Sequence, residues 1–355
     1  MSKEKERLIL HMVYDEAELA SVDDQERPDF AIRRHDGSTR FGVEVTELYD
    51  TNSDARAAHH PSYITELLGG GEHMHRDDVR GLPLCTTTVT DPDGNVKATN
   101  VPCIIRELPP LIDTFRRLSK AIQRKDRSRD DDYGRGLTHV NLVVLDGTAR
   151  PLTLSDEYRT RDVLIPELQR TLVETNFREV FFVTKIGQNR RVVIPRRMLF
   201  LLSSWYTFLG ALDSCEDSTT VLEEQQIPPL FVAFMQRSGV DVRLVSTVEP
   251  DARAALFGSS DLTFSPEKGL TIRDHGDTPL PATLPADVSL LRLLGDGFET
   301  HYRAFSGDAT VVTALAYNAK IKRSESQRPV ADTNPKPDAA TRNNARPVDA
   351  EEGST

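Results

Sequence analysis

The chain has 355 residues, of which 38% are hydrophobic and 28% are charged, and its formal net charge is -11. This composition is ordinary for a globular protein with one large domain or two smaller ones. The net charge argues against a protein that coats nucleic acid indiscriminately, although a local basic groove would still bind phosphate. No stretch approaches the roughly 18 consecutive apolar residues of a membrane span. The charged N-terminus lacks the apolar core of a signal peptide. With three widely spaced cysteines, these features predict a cytoplasmic protein without a membrane partner.

The first predicted element is a helix from Lys3 to Ala20, because apolar residues recur at helical spacing between Leu8 and Leu19. Glu6 lies in the first turn of this helix. An acidic side chain there stabilises the positive end of the helix dipole. The dipole alone is sufficient to account for Glu6.

Two acidic residues follow on a predicted β-hairpin. Asp29 comes directly after Pro28 at the start of one strand, and Glu44 lies on the next strand, with turn residues Asp36-Gly37 between them. Carboxylates from adjacent strands form an oxygen-lined pocket suited to Mg²⁺, a hard cation that keeps several waters and contacts phosphate. The pattern therefore points to phosphodiester chemistry. Each acid taken alone is equally typical of a solvent-facing turn or strand.

A basic helix and a buried strand are predicted after a second hairpin at residues 85–101. The helix begins after Leu108-Pro109-Pro110, and its apolar residues recur at helical spacing. The strand covers residues 141–146. The helix carries Arg116, Arg117, Lys120, Arg124 and Lys125. We expect Arg116, Arg117 and Arg124 to contact a sugar-phosphate backbone, and a solvated basic face is the alternative.

Proline-aspartate on one strand, a hairpin, and a glutamate on the next strand resemble the core of the PD-(D/E)XK nuclease superfamily. The resemblance covers residues 1–213 and implies an α/β fold, a restriction-endonuclease-like mixed sheet flanked by helices. It implies a nuclease that uses Mg²⁺ or Mn²⁺, with Asp29 and Glu44 as its catalytic metal ligands. The backbone carbonyl of Val45 would complete the metal shell, and Glu6 would be a further ligand. The alternative is an unrelated α+β domain whose acidic hairpin lies on the surface.

The sequence departs from the superfamily pattern at Thr46. The superfamily places a lysine two residues after the glutamate, and threonine cannot supply its positive charge. Some members carry this lysine on the following helix, which implies Lys125 as the first catalytic candidate here and Lys120 as the second. Two functions remain open. One is a nuclease acting on DNA in restriction, repair or anti-phage defence, and the other is an inactive module that binds nucleic acid or protein. A homodimer or a partner protein is compatible with both.

Three regions are predicted along the chain. Residues 1–213 form the nuclease-like domain, and residues 214–321 form a small C-terminal α/β region that shows no catalytic spacing. Residues 322–355 are predicted to be a disordered tail, because polar and charged residues replace the apolar ones there and little surface would be buried on folding.

Overall fold

A computed structural model describes residues 1–35, 40–70, 75–129, 133–148, 165–186, 190–213, 224–247, 252–265, 269–274 and 283–284. These residues form a mixed α/β fold. The helices are α1 (Lys3–Leu10), α2 (Asn52–His59), α3 (Tyr63–Gly70), α4 (Asp78–Gly81), α5 (Leu111–Arg127), α6 (Pro166–Glu174), α7 (Arg196–Asp213) and α8 (Ile227–Arg237). The strands are β1 (Leu19–Asp24), β2 (Phe30–Arg34), β3 (Phe41–Leu48), β4 (Leu84–Thr90), β5 (Val96–Ile104), β6 (Val140–Asp146), β7 (Val180–Ile186), β8 (Arg190–Pro195), β9 (Arg243–Ser246), β10 (Arg253–Phe257), β11 (Ser260–Ser265), β12 (Gly269–Asp274) and β13 (Thr283–Leu284).

The main sheet is mixed, and its strand order is β1-β2-β3-β6-β7-β8. The first three strands pair antiparallel, β3, β6 and β7 are parallel, and β8 returns antiparallel. Parallel neighbours need a crossover connection, and α5 lies in the connection from β3 to β6. The predicted acidic hairpin and buried strand are therefore neighbours in one sheet, and the basic helix packs on that sheet.

The N-terminal helix is shorter than its sequence predicts. It ends at Leu10, and the prediction of a helix to Ala20 is wrong beyond that residue. Residues Leu19–Asp24 instead form the edge strand β1, which pairs with β2. Helical spacing of apolar residues is a weak preference, and pairing with a neighbouring strand overrides it here. The second predicted hairpin is confirmed as the two-stranded ribbon of β4 and β5.

The two faces of the main sheet have separate hydrophobic clusters. On one face, Ile9 and Leu10 of α1 pack with Val43 and Val45 of β3. On the other face, α5 and α6 pack against β6 and β7 in a larger cluster. Side chains alternate between the faces of a strand. Glu44 and Thr46 therefore point to the α5 side of β3.

The larger hydrophobic cluster continues past residue 213, where the sequence predicts a domain boundary. The ring of Trp205 in α7 lies 5.3 Å from that of Phe231 in α8 and 4.9 Å from that of Phe264 in β11. The second sheet, of order β12-β11-β10-β9-β13, contributes further buried residues to this cluster. The C-terminal region therefore completes a core that the first 213 residues begin.

A glycine turn joins the second sheet to the first. Gly258, between β10 and β11, has φ of +61°, and an added Cβ would lie 2.5 Å from the backbone oxygen of Arg178. Next to it, the Ser259 hydroxyl lies 3.4 Å from the buried carboxylate of Glu179. Close backbone approach and positive φ together require glycine at this position.

Two predicted segments, the Asp36-Gly37 turn and the tail at 322–355, lie outside the described residues. Within the ranges that are described, no helix has both the length and the apolar character needed to cross a membrane.

Candidate active site

A cavity of about 580 Å³ opens at the carboxyl end of β3, between α1 and α5. Ligands of open α/β sheets commonly bind at this end of parallel strands. One part of its wall is acidic and the part formed by α5 is basic. The charged residues that line it include Glu6, Asp29, Glu47, Asp50, Arg117, Lys120, Arg124 and Lys125.

The hairpin places Asp29 next to Glu44. Phe30 pairs with Val43, and continuing this antiparallel register puts Asp29 opposite Glu44. Side chains of opposite residues share a face, with Cβ atoms roughly 5 Å apart. Oδ2 of Asp29 also accepts a hydrogen bond of 2.8 Å from the backbone N–H of Val45. The Asp29 carboxylate therefore lies beside β3 one residue after Glu44, and the charges of both carboxylates act on Tyr133.

Both oxygens of Glu44 have partners from residues that follow it by 80 positions or more. The Lys125 ammonium lies 2.5 Å from Oε1, and the Tyr133 hydroxyl donates to Oε2 at 2.9 Å. Burial, followed by the negative charge of Glu44, raises the pKa of the Tyr133 hydroxyl. Glu44 is 8% exposed and lies behind the cavity wall rather than in its lining. The role of Tyr133 was not predicted, because this residue lies in a connection without a motif.

A lysine of α1 connects Glu6 to Asp29. The Lys3 ammonium lies 2.9 Å from Oε2 of Glu6 and 3.4 Å from Oδ1 of Asp29. It also donates to the backbone oxygen of Gln25 at 2.9 Å. Burial lowers the pKa of Lys3, but the two carboxylates outweigh burial and raise it. Glu6, Asp29 and Lys3 thus form one cluster. Lys3 was not predicted, because its contact with Asp29 spans 26 positions.

One face of α5 carries the basic part of the wall. Arg117, Lys120 and Arg124 are three and four residues apart, which places them on one side of a helix. Arg117 forms an ion pair of 2.5 Å with Asp50. Within the described ranges, the side chains of Lys120 and Arg124 have no hydrogen-bond or ion-pair partner. Arg116 points elsewhere, pairs with Asp113 at 3.0 Å and does not line the cavity.

The donor set fits a magnesium ion that keeps part of its water. Mg²⁺ is usually bound by one or two carboxylates together with water and substrate phosphate. Donors of this kind are the carboxylates of Asp29 and Glu44 and the backbone oxygen of Val45. Among the residues that the structure describes, no group of three or more acidic, histidine or cysteine side chains is arranged to hold a metal ion alone. Metal binding through Oε1 of Glu44 would require Lys125 to move away.

Comparison with known proteins adds nothing to this geometry. No protein-family model, no curated protein and no solved structure matches the chain.

Proposed function

We propose that this chain is a metal-dependent nuclease with a restriction-endonuclease-like fold, which hydrolyses phosphodiester bonds in DNA. The observation that carries the proposal is the contact between Lys125 and Glu44, beside Asp29. It brings a cation from the following helix to the acidic pair, where the sequence has Thr46 instead of a lysine. The setting we propose is restriction or anti-phage defence in the cytoplasm. The chain would act there alone, as a homodimer or with a partner protein.

The residues of the chain have distinct roles in this proposal. Asp29 and Glu44 would hold Mg²⁺ or Mn²⁺, together with the carbonyl of Val45 and with Glu6. A bound metal ion of this kind polarises phosphate and lowers the pKa of its water. Lys125 moves from Glu44 to the phosphate and stabilises the negative charge that develops on it. Lys120 and Arg124, which lack partners among the described residues, hold the sugar-phosphate backbone in the cavity.

A second function is favoured by one observation. Lys125 and Tyr133 occupy both oxygens of Glu44, so the acidic site is internally neutralised. A module that binds nucleic acid or a protein without cleavage needs no metal there.

Plasmid cleavage separates the two functions. Supercoiled plasmid is incubated with the full chain and Mg²⁺ or Mn²⁺, and nicked product is measured by gel electrophoresis. We expect nicking that disappears with EDTA and with Asp29→Ala. The matched control is Asp24→Ala, because Asp24 pairs with Arg7 and does not line the cavity. Binding without nicking supports the inactive module. Absence of both binding and nicking contradicts the nuclease and any module that binds DNA.

A further inference from the structure

A histidine paired with a carboxylate lines the same cavity as Asp29 and Lys120. His59 is the last residue of α2, and its Nε2 lies 3.3 Å from Oε2 of Glu47 on β3. The Glu47 side chain is only 5% exposed. The pair is therefore a buried carboxylate that holds a more exposed imidazole at the cavity wall. No catalytic role was predicted from the sequence for either residue.

Two other residues fix this pair. The Lys5 ammonium of α1 lies 2.5 Å from Oε1 of Glu47 and 3.5 Å from the Tyr49 hydroxyl. The Tyr49 ring packs edge-on against the His59 ring, with centroids 5.9 Å apart. Burial, followed by the charge of Glu47, raises the pKa of Tyr49, which therefore stays a neutral phenol. The imidazole is thus oriented by a carboxylate at one nitrogen and by an aromatic ring at its side.

This geometry leaves the second ring nitrogen available for proton transfer. Nε2 faces the Glu47 carboxylate at ion-pair distance, so Nδ1 is the nitrogen left to gain or lose a proton. Across the described part of the chain, Nδ1 of His59 has no hydrogen-bond partner. An imidazole whose other nitrogen is held by a carboxylate is the usual arrangement of a histidine acid or base.

The pair lies within reach of the proposed metal site. Asp29 bonds to the backbone N–H of Val45, and Glu47 is two residues further along β3, a Cα separation of roughly 7 Å. His59 and Asp29 line the same cavity, so a phosphate bound at Asp29 would share this space with the imidazole. The charged groups nearest to His59 are Glu47 on β3 and Lys5 on α1, with Asp50 in the same cavity wall.

We propose that His59 is the general acid of the hydrolysis, an inference that rests on the proposed nuclease function. The water oxygen bonds to phosphorus as the bond from phosphorus to the leaving oxygen breaks. The leaving oxygen keeps the electron pair of that bond and takes the Nδ1 proton of the His59 imidazolium. The proton lost by water passes to solvent, and the imidazole regains a proton from solvent. Glu47 stabilises the imidazolium through Nε2–H.

The test compares two neighbouring histidines and two kinds of substrate. His59→Ala is compared with His60→Ala, because His60 is exposed and does not line the cavity. One oligonucleotide duplex has ordinary phosphodiesters, and two others carry sulfur at the 3′ or the 5′ bridging position. A thiolate leaves without protonation, so its departure does not need an acid.

We expect His59→Ala to lower turnover of the ordinary duplex by roughly 10² or more, the usual contribution of a general acid. The variant should cleave the duplex with sulfur at the leaving position as fast as the parent, and added imidazole should restore part of its activity on the ordinary one. The pH profile of turnover should differ between the parent and His59→Ala. His60→Ala should match the parent. DNA affinity in Ca²⁺ should be unchanged in both variants.

The results that overturn the inference are distinct from failure of the proposed function. If His59→Ala is as active as the parent on every substrate, or is equally slow on the ordinary and sulfur-bridged ones, His59 is not the acid. His59→Gln gives the same test with an amide of similar length if the alanine variant does not fold. If the parental chain cleaves no substrate with Mg²⁺ or Mn²⁺, the nuclease function fails and the inference fails with it.

Discussion

The Lys125 ammonium lies 2.5 Å from Oε1 of Glu44, although 81 positions separate the two residues. The same helix face places Arg117 against Asp50, beyond the end of β3. Helix α5 therefore runs antiparallel to β3, with its last turns over the acidic pair. This direction explains why a lysine late in the helix, rather than one near its start, reaches the carboxylate.

Replacing Lys125 by alanine should lower turnover by roughly 10² or more, the usual cost of losing one group that stabilises the transition state. Substrate affinity should change little. Single-turnover cleavage and DNA binding in Ca²⁺ measure the two effects. Arg127→Ala is the control, because Arg127 is exposed and does not line the cavity. If Lys125→Ala is fully active, Lys120 is the next candidate. Full activity of the double variant would exclude a lysine of α5.

Replacing Arg124 by glutamine should weaken DNA binding and make it less dependent on salt. Each lost phosphate contact lowers the slope of log affinity against log salt by about 0.9. Fluorescence anisotropy with a labelled duplex at several salt concentrations measures the slope. Arg116→Gln provides the comparison, because Arg116 pairs with Asp113 outside the cavity. An equal effect at Arg116 would show that the binding surface extends beyond the cavity, as the sequence predicts.

Replacing Gly258 by alanine should destabilise the fold more than the same change at Gly94. Both glycines have positive φ, which costs about 1 to 2 kcal/mol for an L-residue. Gly94 faces open space, whereas a Cβ at Gly258 would lie 2.5 Å from the Arg178 backbone oxygen. Urea unfolding measures the difference in free energy. Equal losses at the two positions would mean that the turn moves freely away from Arg178.

The acid stability of the chain should depend on Asp78. Burial alone would raise the pKa of this carboxyl, but hydrogen bonds from Tyr63, Arg56 and Ser53 bring it well below its ordinary value. A group with a depressed pKa stabilises the fold above its unfolded pKa of about 3.9, and this contribution is lost as pH falls toward the folded pKa. The urea midpoint should therefore fall below about pH 4 in the parental chain.

Asp78→Asn isolates this pH effect. The variant should be less stable at neutral pH, because Arg56 loses a charged partner. Its urea midpoint should change less between pH 5 and pH 3 than that of the parent. Asp23→Asn is the control, because Asp23 is exposed and pairs with Arg40 at the surface. Parallel pH curves for the parent and Asp78→Asn would contradict the prediction.

Local pattern predicted most of the sheet around the site, but not the contacts that complete it. Alternating residues identified β2 and β3, and helical spacing identified α5. In contrast, Tyr133 meets Glu44 across 89 positions. Such contacts depend on how elements pack, which no local spacing encodes. The strand β1 was missed for the same reason, since Leu19 continues the helical spacing of α1 but pairs with β2.

The C-terminal region was predicted to be α/β, but neither its sheet nor its part in the core was predicted. Residues 231–234 are all apolar. Their sequence therefore has no pattern that shows which surface of the protein they pack against. In the structure, Phe231 and Phe234 pack on Phe208 of α7. The surface that these residues cover therefore depends on how the helices are arranged in space.

The shared core also determines when, during translation, the hydrophobic core can close. Rings on α7 remain uncovered until α8 and β11 have been synthesised, because Phe231 and Phe264 are the rings that pack on Trp205. A ribosome that has just completed residue 213 therefore holds a nascent chain with an open apolar face. Chains released at that length should be recovered with chaperones or in aggregates. The candidate active site would then form only late in translation, when the second sheet closes over α7.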